Sequence, residues 1–148
     1  MNLDFMREAL SIAKSSEADV PVGAVIVRDG KIIAVACNEK EKLQQVYRHA
    51  EVVAIEKASK RLKQWRLDDC SLYVTLEPCP MCAWAILQSR IKNVYFGSYD
   101  SLYGAFGSKL DLREYFPSKI SVYGGILEED CSKLLKEFFE KIRDDNKK

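Results

Sequence analysis

Two cysteines one helical turn apart, Cys79 and Cys82 in the run Thr75-Leu76-Glu77-Pro78-Cys79-Pro80-Met81-Cys82, constrain this chain more than any other feature. Presented by the first turn of a helix, both sulfurs point the same way, and the helix N-terminus favours the thiolate form that a metal requires. Pro80 suits that turn, where a missing N–H costs nothing. A third ligand comes from His49 in His49-Ala50-Glu51, so the fold must bring two distant segments together. Cys, Cys and His make a zinc set, and three protein ligands leave one corner of a tetrahedron open for water, which separates a catalytic site from a structural one. One zinc per chain is expected.

Two thiolates and an imidazole neutralise the charge of zinc. Water at the open corner is therefore acidified less than in a three-histidine site and needs a proton acceptor close by. Glu51, two residues after His49 and at the mouth of the same predicted helix, stands where such an acceptor belongs. Taken alone, Glu51 reads as a first-turn acid that complements the helix dipole, and a lone Cys-x-x-Cys reads as a redox pair or half of a zinc knuckle. A knuckle needs a second ligand pair, which the chain lacks, and His49 is its one histidine. The full pattern, His-x-Glu and then Pro-Cys-x-x-Cys after an interval of 26 residues, decides for a catalytic metal centre.

The flanking pattern supplies a scaffold. Leu3, Met6, Leu10 and Ala13 recur at helical spacing behind Asn2 or Asp4 as cap. Val22 to Val27 and Lys31 to Ala36 are β-rich runs joined by Asp29-Gly30, a two-residue hairpin signal. Asn38 to Arg48 is polar and without period, and it delivers His49 to a helix through Val52, Val53, Ile55 and Ala58. Leu72 to Leu76 reads as a buried strand entering the cysteine motif, Cys79 to Ser89 as the helix after it, and Asn93 to Gly97 as another strand. A loop from Ser98 to Ser108, a short strand at Ser121-Val122-Tyr123 and an amphipathic helix from Leu127 to Ile142 complete the chain, with Asp144 to Lys148 expected to fray. The alternation predicts an α/β fold, a three-layer sandwich with a central mixed five-stranded sheet flanked by helices; strand order does not follow from it.

At 148 residues and 47% apolar content the chain buries one core, so one domain over 1–148 is expected. Its 23 basic and 22 acidic side chains argue against a strongly electrostatic, histone-like nucleic-acid binder. Lys57 to Arg66 nevertheless holds five basic residues and no acid, either a solvated helix end or an RNA-contacting stripe. Met1 to Ser16 is neither a signal peptide nor a membrane span, so a cytoplasmic protein without membrane partners is expected. Cys37, Cys70 and Cys131 read as free thiols of a reducing compartment.

At His49, Glu51, Cys79 and Cys82 the sequence resembles the zinc-dependent cytidine and adenosine deaminases. It is most similar to their bacterial tRNA adenosine deaminase branch, on Pro21-Val22-Gly23-Ala24-Val25, Asn38, Ser89-Arg90-Ile91, Phe96-Gly97, Gly104-Ala105 with Gly107-Ser108, and Gly125-Ile126-Leu127 leading to Phe138-Phe139. The resemblance implies hydrolytic deamination, with Glu51 as proton shuttle, of adenosine to inosine at the wobble position of a tRNA anticodon loop. It further implies that Asn38 hydrogen-bonds the base, that Val22, Ala50 and Leu76 line the pocket, that Asp100, Tyr99 and Phe139 meet the RNA, and that the enzyme is a homodimer. The chain departs from the pattern at Glu39, Tyr99, Leu102-Tyr103 and Glu140, where basic residues are usual, and at Trp84, usually glycine. Two other readings share the zinc motif: a deaminase of free guanine, cytosine or a nucleotide, and a non-catalytic zinc-stabilised binding module.

Overall fold

A computed structural model describes residues 1–147 of the chain. Its elements run α1 (Leu3–Ala13), β1 (Gly23–Arg28), β2 (Lys31–Cys37), α2 (Lys40–Leu43), α3 (Ala50–Leu62), β3 (Cys70–Leu76), α4 (Pro80–Ser89), β4 (Asn93–Ser98), β5 (Ser121–Tyr123) and α5 (Glu128–Asn146). The five strands form one mixed sheet in the order β2-β1-β3-β4-β5. β1 is antiparallel to both β2 and β3, whereas β3, β4 and β5 run parallel.

Both faces of the sheet are covered, which is why β1 reads as a nearly unbroken apolar run. Its alternate residues divide between two cores. Ala24 and Ile26, with Leu72, Val74, Val94 and Phe96 of the neighbouring strands, pack against Val53, Ala54 and Ala58 of α3 and Ala83 and Ile86 of α4. Val25 and Val27, with Tyr73, face Met6 and Ala9 of α1 and Cys131 of α5. The hairpin turns at Asp29 and Gly30, whose φ angles of 50° and 73° are the pair of positive values that a type I′ turn requires. Asn2 caps α1, its Oδ1 accepting from the Asp4 backbone N–H at 2.9 Å.

Several details differ from expectation. The polar stretch after β2 is not without structure: it contains α2, whose first backbone donors, Glu41 and Lys42 N–H, are taken by the buried Asp19 carboxylate at 2.9 and 3.4 Å. The partner lies about twenty residues upstream, where no local pattern marks it. The basic run from Lys57 to Arg66 leads away from the cysteine motif, towards the start of β3. Lys57 and Arg61 donate to the Val35 and Ile33 carbonyls of the edge strand β2 at 3.0 and 3.3 Å, and Arg66 pairs with Asp68 at 2.8 Å. α5 continues through Asn146, and Lys148 lies outside the described residues. The five cysteines are free, and no described helix is long and apolar enough to cross a membrane.

Gly23 opens β1 under α1. Its N–H donates to Thr75 Oγ1 at 3.1 Å, and a Cβ there would overlap the Ala9 carbonyl oxygen and lie 2.7 Å from the Ala13 nitrogen. Both are helix backbone atoms, so the whole of α1 has to move. Gly30 has open space around it and only its φ to satisfy. Gly23→Ala is expected to cost about 3 kcal/mol, against about 1 kcal/mol for Gly30→Ala, measured as shifts of the urea midpoint; equal costs would contradict the close approach of α1 to β1.

Candidate active site: a three-ligand metal centre

Parallel pairing sets Leu76 beside Ser98, so β3 and β4 end together and the segments that follow them open at one edge of the sheet. The antiparallel partners start or end there too, with Gly23 of β1 opposite Cys37 of β2. His49 is the N-cap of α3 and Cys79 the N-cap of α4, with Pro80 in the first position of α4. Two helix N-termini, each favouring negative charge, therefore converge on the same point.

There the three expected ligands meet. His49 Nδ1 lies 3.7 Å from Cys79 Sγ and 3.5 Å from Cys82 Sγ, and all three donor atoms fall within 4.8 Å of one another. Zinc–sulfur and zinc–nitrogen bonds in a tetrahedron imply a sulfur-to-nitrogen edge of about 3.6 Å. The donor set and its spacing fit zinc.

The electrostatics of the donor set favour a cation. A hydrogen bond with Cys82, with a second from His49, holds the Cys79 thiol down at about 4. Its hydrogen bond to Cys79 and its burial push Cys82 above the usual thiol range. The hydrogen bond with Cys79 raises His49. A metal replaces these protons and releases them. Glu51, 4% exposed, is lifted to about 7 chiefly by burial, assisted by the negative charge of Cys79. A carboxyl group so placed both takes and gives a proton near neutral pH.

These groups form the floor of a cavity of about 870 Å³. Val22, Asn38, Leu76, Tyr99, Asp100 and Phe139 line it together with His49, Glu51 and Cys79. Ala50 does not: it is fully buried, and its backbone N–H donates to Asn38 Oδ1 at 2.8 Å. Asn38 thus ties the end of β2 to the first turn of α3, and its Nδ2 donates to the Val20 carbonyl at 3.0 Å. One amide N–H and a second lone pair remain for a ligand. Asp100 spends Oδ1 on the Leu102 and Tyr103 N–H groups at 3.0 and 3.1 Å, shaping a turn. Tyr99 stands edge-on to Phe96 at 5.1 Å, and Phe139 projects half-exposed from α5.

Glu77 escaped the sequence reading, although it sits inside the cysteine motif. It is buried, and its partners lie more than twenty residues downstream, so neither period nor spacing points to it. Glu39, unusual for its acid, pairs with Arg48 at 3.1 Å, and Arg48 in turn with Glu56 at 2.9 Å. Trp84 packs against Phe116 with ring centres 4.6 Å apart.

Fold and site together define a zinc-dependent deaminase, a hydrolase acting on a cyclic amidine. The chain belongs to the family described as the cytidine and deoxycytidylate deaminase zinc-binding region, whose model matches residues 1–98. It is 45% identical over 143 residues to the tRNA-specific adenosine deaminase of Bacillus subtilis, covering 94% of this chain and 89% of that one. A solved structure from biochemical and structural studies of A-to-I editing by tRNA:A34 deaminases at the wobble position of transfer RNA superposes with a TM-score of 0.84 and 39% identity, covering 90% of this chain and 99% of that one. A guanine deaminase from Bacillus subtilis superposes with a TM-score of 0.64 and 44% identity, over 67% and 66% of the two chains.

The lifted Glu51 has a measurable consequence once the metal is chelated away. Between its ordinary 4.5 and its folded value of about 7 the folded chain holds the Glu51 proton and the unfolded chain does not. The Glu51 contribution to stability therefore falls as pH rises through that window, by about 1 kcal/mol per pH unit, and levels off above it. Metal-free Glu51→Gln lacks this contribution. Its stability advantage over the metal-free parent in urea unfolding is expected to widen from pH 4.5 to pH 7 and then stay constant; an advantage independent of pH would contradict the burial of a titrating Glu51.

Proposed function

We propose that residues 1–148 act as one deaminase domain that converts adenosine to inosine at the wobble position of a tRNA anticodon loop. The observation that carries this reading is the rim of the cavity. Tyr99, Leu102, Tyr103 and Phe139, each more than half exposed, continue outward from the floor that holds Cys79 and Glu51. Such a surface stacks on unpaired bases flanking a nucleotide that has been flipped into the site. It also explains how a chain of net charge +1 engages RNA, with stacking in place of part of the phosphate attraction.

His49, Cys79 and Cys82 would hold the zinc, which supplies Lewis acidity to the water at the open position. Asn38 offers its remaining donor and acceptor to the edge of the base, with Val22 and Leu76 on either side. Glu51 takes a proton from the attacking water and passes it to the ring nitrogen beside the amine-bearing carbon, while the water oxygen bonds to that carbon. A second proton from the same oxygen travels by Glu51 to the amine. The carbon–nitrogen bond then breaks, ammonia leaves with the bonding electron pair, and the carbonyl of inosine remains. Asp100, on the cavity lining, would take a ribose hydroxyl, a contact available in a nucleotide and absent from a free base. Five unpaired thiols suit the reducing cytoplasm, where this substrate lies.

The test is turnover of an anticodon stem-loop beside a panel of free guanine, cytosine and adenine. Inosine in the stem-loop is expected, with Glu51→Gln retaining one zinc per chain and losing at least about a hundredfold in rate. Turnover of free guanine or cytosine with the RNA untouched would instead make the chain a free-base deaminase, the reading that its likeness to guanine deaminase favours.

We also propose a homodimer. Met81 and Trp84 on the outer face of α4 and Tyr115 and Phe116 beyond it leave an apolar patch in solvent, close to the metal helix, that a second copy covers. Sedimentation at micromolar concentration is expected to give a dimer for the parent and a monomer for Trp84→Glu; a monomeric parent would remove the proposal.

A further inference from the structure

We propose that Glu77 is a positioning residue that fastens the substrate-facing loop, residues 99–108, to the metal turn. The inference rests on the RNA reading above for what the loop meets, and on geometry alone for how it is held. Glu77 is 2% exposed and stands between Leu76, which lines the cavity, and the ligand Cys79. Among the described residues no cation pairs with it. A buried carboxylate in that position is costly unless its lone pairs are occupied.

One loop occupies them all. Oε1 accepts from the Asp100 N–H at 3.1 Å and from the Ser108 hydroxyl, and Oε2 accepts from the Phe106 and Ser108 N–H groups, each at 3.1 Å. Backbone bonds close the same seam, Glu77 N–H to the Ser98 carbonyl at 2.8 Å and Ala105 N–H to the Pro78 carbonyl at 2.9 Å. Gly104 lies so near that a Cβ would overlap the Glu77 carboxyl carbon, so the loop can wrap the carboxylate only with glycine there. Asp100, held by its backbone to Glu77, then spends its own carboxylate on Leu102 and Tyr103. Tyr99, Leu102 and Tyr103 are in this way placed relative to Cys79 by one carboxylate.

Glutamine is nearly the same shape but has a single acceptor oxygen, and its NH₂ would face N–H donors whichever way it turned. In Glu77→Gln we expect one zinc per chain, as in the parent. Amide exchange at Asp100, Phe106 and Ser108 should speed up at least tenfold, with the core strands unchanged. The KM for an anticodon stem-loop should rise at least tenfold and kcat change less than threefold. Ser108→Ala should give a smaller rise in KM, and should add nothing in the Glu77→Gln background, because the contact is then already lost. Should Glu77→Gln fail to fold, Gly104→Ala perturbs the same seam from the loop side and should reproduce the split between KM and kcat. Unchanged exchange, faster exchange with unchanged KM, or loss of zinc and fold in both variants overturns the inference. A parent that leaves the stem-loop unedited overturns the RNA reading instead, and the exchange arm still reports on Glu77.

Discussion

The parallel pairing of β3 with β4 is the constraint on which the rest of the molecule depends. Parallel neighbours cannot be joined by a tight turn, so the chain crosses over through a helix, and that helix is α4. Its N-terminus, with Cys79 and Cys82, must then lie where β3 ends, and the loop after β4 must begin beside it. Because β1 runs against β3, the start of β1 reaches the same edge, with Ala24 opposite Val74 and the Gly23 N–H on the Thr75 hydroxyl. β2 ends opposite Gly23, which brings in Asn38 and, through it, the first turn of α3 with His49 and Glu51. One register thus collects Val22, Asn38, Leu76 and the zinc ligands at a single edge, the usual location for a ligand site in sheets of this kind.

That edge concentrates negative charge in a buried place, and the protein uses two of its buried carboxylates in different ways. Glu77 is enclosed by four donors and serves the framework. Glu51 lies over the thiols with burial and the Cys79 charge acting against its ionised form, and so holds its proton up to about pH 7. Two converging helix N-termini and a dication are what make the remaining negative charge tolerable. The same low-dielectric setting that makes Glu51 a poor carboxylate makes it a good proton carrier.

Residues that look anomalous beside related enzymes acquire local reasons. The acid at Glu39 is neutralised by Arg48, which Glu56 also holds, and this cluster secures the segment leading into His49. Within the basic run Lys57 and Arg61 donate to edge-strand carbonyls, Lys60 pairs with Glu56 and Arg66 with Asp68. What faces outward around the cavity is aromatic and aliphatic surface, supplied by Tyr99, Leu102, Tyr103 and Phe139.

Much of this was legible beforehand wherever the determinant was local. Metal ligands announce themselves by type and by spacing within one helical turn, the hairpin by Asp29-Gly30, and the helices and strands by their periods, which carried the ligand cluster and the sandwich class directly from residue order. Nothing local recorded what depends on pairing across the fold. The strand order, the service of Ala50 through its backbone rather than as pocket wall, the dispersal of the basic run and the anchoring of a whole loop by Glu77 all rest on contacts between residues far apart in the chain. A ligand's chemistry is a property of its side chain and can be read in one dimension; whether a hydrogen-bond donor or acceptor is already taken is a property of its neighbours, and only the tertiary structure decides who those are.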